Sequence, residues 1–280
     1  MLPLRSQVRV NDMESFKKYI SPGAWFSMEY PAVWSEFEDS EGSFLFYNPD
    51  EWTGNFRISA YRGNKADYGR ESVRQELKEN TSAVRVRVGA QDCAYSKEMF
   101  EEGGEYYTSH IWITGVDDVA FECSFTVRKG ESVAEAERVI ASLQVRKPGV
   151  KYPAELIPVR LSEIYQIDEA YEWVEKTVKD LLKKDFQGVE EDVESMQQVV
   201  DRGVIGPKKK DQWLALGITL CVIMANEVDG MEWRTLIDGN REAPVLLNTA
   251  TGQWTDPMKL AWSKVKAGEK VDLAEAYCNA

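Results

Sequence analysis

Hydrophobic sidedness changes its period part-way along this chain, and one layer of regular structure cannot accommodate both periods. Within residues 25–128 apolar and polar residues alternate: Phe56, Ile58 and Ala60 against Arg57 and Ser59; Val84, Val86 and Val88 against Arg85 and Arg87; Val119, Phe121, Cys123, Phe125 and Val127 against Glu122, Ser124 and Thr126. A repeat of two places successive side chains on opposite faces, so this region predicts half-buried strands. Beyond Ser162 the interval lengthens. Ile164, Ile167, Tyr171, Val174, Val178 and Leu181 recur every three or four residues, forming one stripe of a helix. A chain of 280 residues exceeds what one hydrophobic core usually serves, so the change of period predicts two domains. Residues 144–158 hold Pro148, Gly149, Pro153 and Pro158 with little periodicity and read as a linker. The division is placed at 1–147 and 148–280.

Turn chemistry orders the first domain. Gly103-Gly104 separates a strand over 93–100 from one over 106–115, and Asp117-Asp118 leads into the next, which predicts an antiparallel meander. Helices are expected at 67–79 and 132–143. In the second of these Ser132 and Glu135 read as a capping box, and Val133, Ala136, Val139, Ile140 and Leu143 make one apolar stripe. The fold class is therefore α+β, an antiparallel sheet sandwiched by helices.

The second domain reads as a smaller helix-rich α+β unit. Its first helix follows a Ser162 cap, a second runs over 190–202 and stops at Gly203, and Gly206-Pro207 opens a third over 208–226. The third is apolar nearly all round from Trp213, as befits a buried segment. Gly217 at its middle would cost about 1 kcal/mol relative to Ala if exposed, so another element is expected to cross closely there. Two runs, 231–237 and 243–249, flank Asp238-Gly239-Asn240 and predict a β-hairpin. Thr255-Asp256-Pro257 starts a helix carrying Met258, Ala261, Trp262 and Val265, and a short one covers 271–277.

Two resemblances rest on these residues. The run 25–34, WFSMEYPAVW, followed by Phe44-Leu45-Phe46 and 54–59, GNFRIS, resembles the opening of PsbP/Mog-type α-β-α sandwiches over about residues 22–145. That resemblance implies a binding or assembly factor without catalysis of its own. Trp213-x-x-Leu216-Gly217, Glu232-Trp233, Ile237-Asp238, Asp256-Pro257 and 268–273, GEKVDL, resemble a small bacterial domain family of unknown function over about residues 165–278.

Chemistry is sparse. His110 is the single histidine, so a multi-histidine metal site is excluded and any triad would depend on this one ring. It falls on a strand face with Tyr106, Thr108, Trp112 and Thr114, where packing is its ordinary role. Glu101-Glu102, Asp117-Asp118 and Glu190-Glu191 sit at expected turns or a helix start, where water keeps carboxylates ionised. Cys93, Cys123, Cys221 and Cys278 show no metal or disulfide spacing and read as free thiols, although Cys93 and Cys123 could meet across neighbouring strands. Lys208-Lys209-Lys210 reads as an exposed helix start. No catalytic residue, metal ligand or cofactor is assigned. Trp213, Trp233 and Trp262 are expected in the second core, whereas Trp254, after the loop residues Thr251-Gly252-Gln253, is expected to be exposed and is the candidate binding residue.

A formal net charge of −13, spread over both halves, disfavours nucleic acid and anionic membranes as partners and leaves a basic protein allowed. The opening MLPLRSQVRV lacks the apolar core of a secretory signal and no apolar run reaches ~20 residues, so a cytoplasmic protein is expected. The leading expectation is a non-enzymatic protein-binding module of adaptor or immunity type. The alternative is a small-molecule-binding protein or a carboxylate-dependent hydrolase with its site at the domain junction.

Overall fold

The computed structural model describes residues 16–40, 42–239 and 241–279, which divide into two compact units, one ending at Tyr152 and the other beginning at Pro153.

In the first unit the strands are β1 (Phe16–Ile20), β2 (Phe26–Pro31), β3 (Ser35–Ser40), β4 (Ser43–Tyr47), β5 (Asn55–Arg62), β6 (Val84–Val88), β7 (Gln91–Glu102), β8 (Glu105–Val116), β9 (Val119–Arg128) and β10 (Gln144–Val145), with helices α1 (Tyr68–Glu79) and α2 (Ala134–Ala141). Seven strands form one antiparallel sheet in the order β3-β4-β5-β9-β8-β7-β6, and a small second sheet has the order β1-β2-β10. Alternation does what the sequence predicts. Phe44, Phe46, Phe56, Ile58, Phe121, Cys123 and Phe125 face inward, where they share one core with Phe26, Met28 and Trp34 of the chain around β2 and with Val139 and Ile140 of α2. Each such side chain contributes roughly 1.5–3 kcal/mol by leaving water. Helix α1 lies on the opposite face against β7, β8 and β9, over the buried Ala94 and Ala120. The close approach needs glycine on both sides: a Cβ on Gly69 or on Gly115 would meet the other backbone within 2.7 Å.

Three details differ from expectation. Ser132 does not form a capping box; its hydroxyl accepts from the Ala134 N–H at 3.2 Å and the helix begins two residues later. Cys93 and Cys123 stand on β7 and β9 with β8 between them, and both thiols are free and buried. The expected linker supplies two strands, since Gln144 and Val145 pair with β2 and Glu155–Pro158 pairs with a strand of the second unit. Backbone hydrogen bonding at a sheet edge needs no hydrophobic period, so these short strands left no pattern.

The second unit contains β11 (Glu155–Pro158), α3 (Leu161–Leu182), α4 (Asp192–Asp201), α5 (Lys210–Glu227), β12 (Met231–Asp238), β13 (Arg241–Asn248), β14 (Trp254–Thr255), α6 (Pro257–Leu260), α7 (Trp262–Ala267) and α8 (Leu273–Cys278). The four strands are antiparallel in sequential order. The β12–β13 hairpin forms as expected; Asn240 of its turn lies outside the described residues. Helix α5 is buried at nearly every position from Trp213 to Met224, and the close crossing expected at Gly217 is made by Pro257, whose carbonyl oxygen lies 2.0 Å from where a Cβ would stand. Ser162 falls inside the first turn of α3, so the residue at the cap is Arg160, without a side-chain cap. The helix expected after Pro257 is broken at Ala261, where φ is −130°.

Candidate functional site

Each residue singled out in the sequence has a definite place. His110 lies on β8, paired in register with Lys97. Its Nδ1 is 2.7 Å from the Tyr95 hydroxyl, and Trp112 packs against both, with centroids 6.0 Å from His110 and 5.4 Å from Tyr95. Burial, followed by the Lys97 charge, pushes the imidazole below its ordinary value, and burial pushes the Tyr95 phenol up. A lowered imidazole and a raised phenol leave the hydrogen bond between neutral groups. Burial also raises Cys93, Cys123 and Cys221, so these thiols are poor nucleophiles.

Asp117 and Asp118 line an open depression with Gly63, Asn64, Lys65 and Ala66, and Asp118 pairs with Arg62 at 3.3 Å. Glu190 and Glu191 precede α4, where the neighbouring Asp192, not singled out from the sequence, carries the structural load. Its Oδ2 accepts from the N–H groups of Gln187, Gly188 and Val189 at 2.8–3.3 Å. Another buried polar group the sequence did not disclose is Arg160, 2% exposed, which holds both Glu163 oxygens and donates to Glu242. These three residues are 3 and 82 positions apart, too dispersed to form a motif.

The tryptophans separate as expected. Trp213 and Trp233 are buried in the second core and Trp262 packs against it. Trp254 is 39% exposed, at the edge strand β14, with the Lys259 ammonium 5.6 Å from its ring.

A more extensive exposed surface appears where the Glu101-Glu102 pair lies. Strands β7 and β8 run past the core, and every residue from Lys97 to Tyr106 is exposed. Met99 is 64%, Tyr106 55% and Phe100 39% exposed. The register assigns the faces: Phe100 lies opposite Tyr107, and Glu102 opposite Glu105, so Glu98, Phe100, Glu102, Glu105 and Tyr107 share the outer face while Met99, Glu101 and Tyr106 share the inner one. Phe100 and Tyr107 stack at 5.6 Å, and Trp52 meets Tyr107 edge-on at 5.8 Å. The Trp52 indole N–H donates to Asn55 Oδ1 at 2.8 Å, which fixes that ring. Two glutamates directly opposite are unfavourable, and no ion pair offsets them among the described residues. The sequence signal was present in the doublets Met99-Phe100 and Tyr106-Tyr107, which put apolar groups on both faces at once.

Comparison with known proteins adds family but no activity. Residues 14–168 match the model described as Domain of unknown function (DUF3805), and residues 192–277 the one described as Domain of unknown function (DUF3806). A crystal structure of a protein from Bacteroides thetaiotaomicron VPI-5482 is 70% identical, with a TM-score of 0.91 and a match covering 94% of this chain and 97% of that chain. Cyanobacterial PsbP (CyanoP) from Synechocystis sp. PCC 6803 matches at 15% identity and a TM-score of 0.27, over 51% of this chain and 99% of that one. LpqN of Mycobacterium tuberculosis, described as involved in cell envelope biogenesis, matches at 11% and 0.30, over 47% and 92%. No protein with a curated description matches. No helix among the described residues is long and apolar enough to cross a membrane.

Proposed function

We propose that this chain, which belongs to the DUF3805 family, is a non-catalytic protein-binding module of adaptor or immunity type, working in the cytoplasm on a basic protein. The observation that carries this reading is the β7–β8 hairpin, which holds Met99, Phe100 and Tyr106 in water. Burying apolar surface is favourable, and neighbouring exposed apolar groups, Met99 with Tyr106 on one face and Phe100 beside Tyr107 on the other, are of the kind that a partner covers. The net charge of −13 and Glu98, Glu101, Glu102 and Glu105 in the same hairpin favour a positively charged partner, because complementary charge speeds encounter and rejects acidic surfaces. Trp254 is a second contact in this reading, offering an exposed ring on the other unit.

Capture from native cells tests it. The full chain is immobilised beside a Met99→Ser, Phe100→Ser, Tyr106→Ser variant, with washes at low and high salt. A protein retained by the first, lost from the variant and weakened by salt is the expected result; no retained protein at either salt overturns the reading.

A further inference from the structure

Resting on that reading, we infer that the outer face of the β7–β8 hairpin is an arginine-recognition platform, which takes an extended arginine-bearing segment of a partner protein. Two kinds of group needed by a guanidinium lie side by side there. The first is flat aromatic surface: Phe100 and Tyr107 stack at 5.6 Å with their rings 22° apart, and Trp52 closes one side, pinned by Asn55. The second is unneutralised carboxylate. Glu102 and Glu105 oppose each other in the last pair of the ladder and Glu98 lies two alternate positions further in, beyond Phe100, and among the described residues none of the three has an ion-pair partner.

The two faces of the hairpin differ in how they are served. On the inner face the Lys129 ammonium stands 5.7 Å from the Tyr106 ring, so the chain supplies its own cation. On the outer face the exposed Arg128 is the cross-strand neighbour of Tyr107, yet no described cation is stacked on Trp52, Phe100 or Tyr107. Like charges placed directly opposite are unfavourable in the free hairpin, and a cation between them relieves that repulsion. Arginine fits better than lysine, because its planar fork stacks on a ring and binds carboxylate through two parallel N–H groups, whereas an ammonium is a hydrated point charge. Alternate residues of a strand are spaced about 7 Å apart, so Glu98, Phe100 and Glu102 repeat at the interval of alternate side chains in an extended partner segment.

The test uses the full chain and labelled synthetic peptides, a ten-residue alternating Arg-Ser peptide and its Lys-Ser counterpart of equal charge, read by fluorescence anisotropy. The arginine peptide is expected to bind about tenfold more tightly than the lysine peptide. Glu102→Gln with Glu105→Gln, exposed changes that relieve repulsion and leave the fold intact, is expected to weaken the arginine peptide about tenfold. Phe100→Ser with Tyr107→Ser is expected to abolish the preference. Equal binding of the two peptides, or unchanged binding by the glutamine variant, overturns the inference. If capture from cells is still lost on changing Met99, Phe100 and Tyr106 while the peptides bind alike, protein binding stands and the arginine chemistry fails. Sedimentation showing that the free chain dimerises through this hairpin would make a second copy the occupant and also overturn it.

Discussion

Gly217→Ala should destabilise the second unit even though alanine is the better helix former. The substitution gains about 1 kcal/mol of intrinsic helix propensity. Against this, a Cβ at position 217 would stand 2.0 Å from the Pro257 carbonyl oxygen, 2.9 Å from its carbonyl carbon and 3.4 Å from its Cα. Relief requires α5 and the Pro257 backbone to separate by about 1 Å, because contacts under 3.0 Å are essentially never adopted. Pro257 is poorly placed to yield. The preceding Asp256 is 4% exposed, accepts from the Met258 N–H at 3.0 Å and is held by Arg241 at 2.7 Å. Overpacking a core costs about 1–3 kcal/mol, and contact with anchored backbone belongs at the upper end, which leaves a net loss of about 2 kcal/mol. Because a chain with two units need not unfold in a single step, the suitable assay is hydrogen exchange resolved by peptide. Amides of Lys210–Glu227 should exchange about thirtyfold faster in the variant, compared with those of Val119–Arg128 in the first unit. Exchange in α5 that is unchanged or slower would refute the close-crossing argument.

Three further outcomes follow from buried groups. Arg160→Ala leaves Glu163, 7% exposed, buried without its partner and should cost about 3–5 kcal/mol in chemical denaturation, whereas Arg160→Met combined with Glu163→Leu should recover most of it; equal losses in the two variants would mean the pair is not coupled. A thiol reagent should modify Cys278 alone in the native protein and all four cysteines in denaturant, and rapid native labelling of a second thiol would contradict the burial of Cys93, Cys123 and Cys221. As the single histidine, His110 gives one assignable imidazole signal, which should titrate below about 6.5. A depressed histidine pKa means that the unfolded chain binds the proton more readily, so this group costs stability as pH falls through that window. Lys97→Met should move the midpoint up but not to the ordinary value, because burial is the larger cause.

What was legible in the sequence follows from where side chains, rather than backbone, decide structure. The strands of Phe56 and Val119 and the seam of α3 are readable because burial of one face imposes a period, whereas Val84, read on the same pattern, is 54% exposed. The crossing at Gly217 is legible too, because glycine inside an apolar helix has a cost that close packing explains. The short strands Gln144–Val145 and Glu155–Pro158 are held by backbone pairing, which imposes little on side chains. The missed cap at Ser162 has a similar cause. Arg160 and Glu163 fix the start of α3 by a buried ion pair, and a pair that close in sequence is indistinguishable from an ordinary surface bridge until burial is known.

The hairpin is a different kind of omission. The Gly103-Gly104 turn marks its two strands, yet their alternation marks a core over only part of their length. Where the strands leave the core, period two still assigns faces but no longer assigns inside and outside, and Met99-Phe100 and Tyr106-Tyr107 then place apolar groups in water on both sides. The register turns this into chemistry. One residue of slippage would set Glu102 against Gly104 or Tyr106 and part Phe100 from Tyr107, whereas the observed pairing aligns carboxylate with carboxylate and ring with ring. A hairpin selected for stability alone would place opposite charges at the final pair, where they help. Glu102 and Glu105 stand there instead, beside exposed rings, and in the inferred role a partner's guanidinium offsets their repulsion.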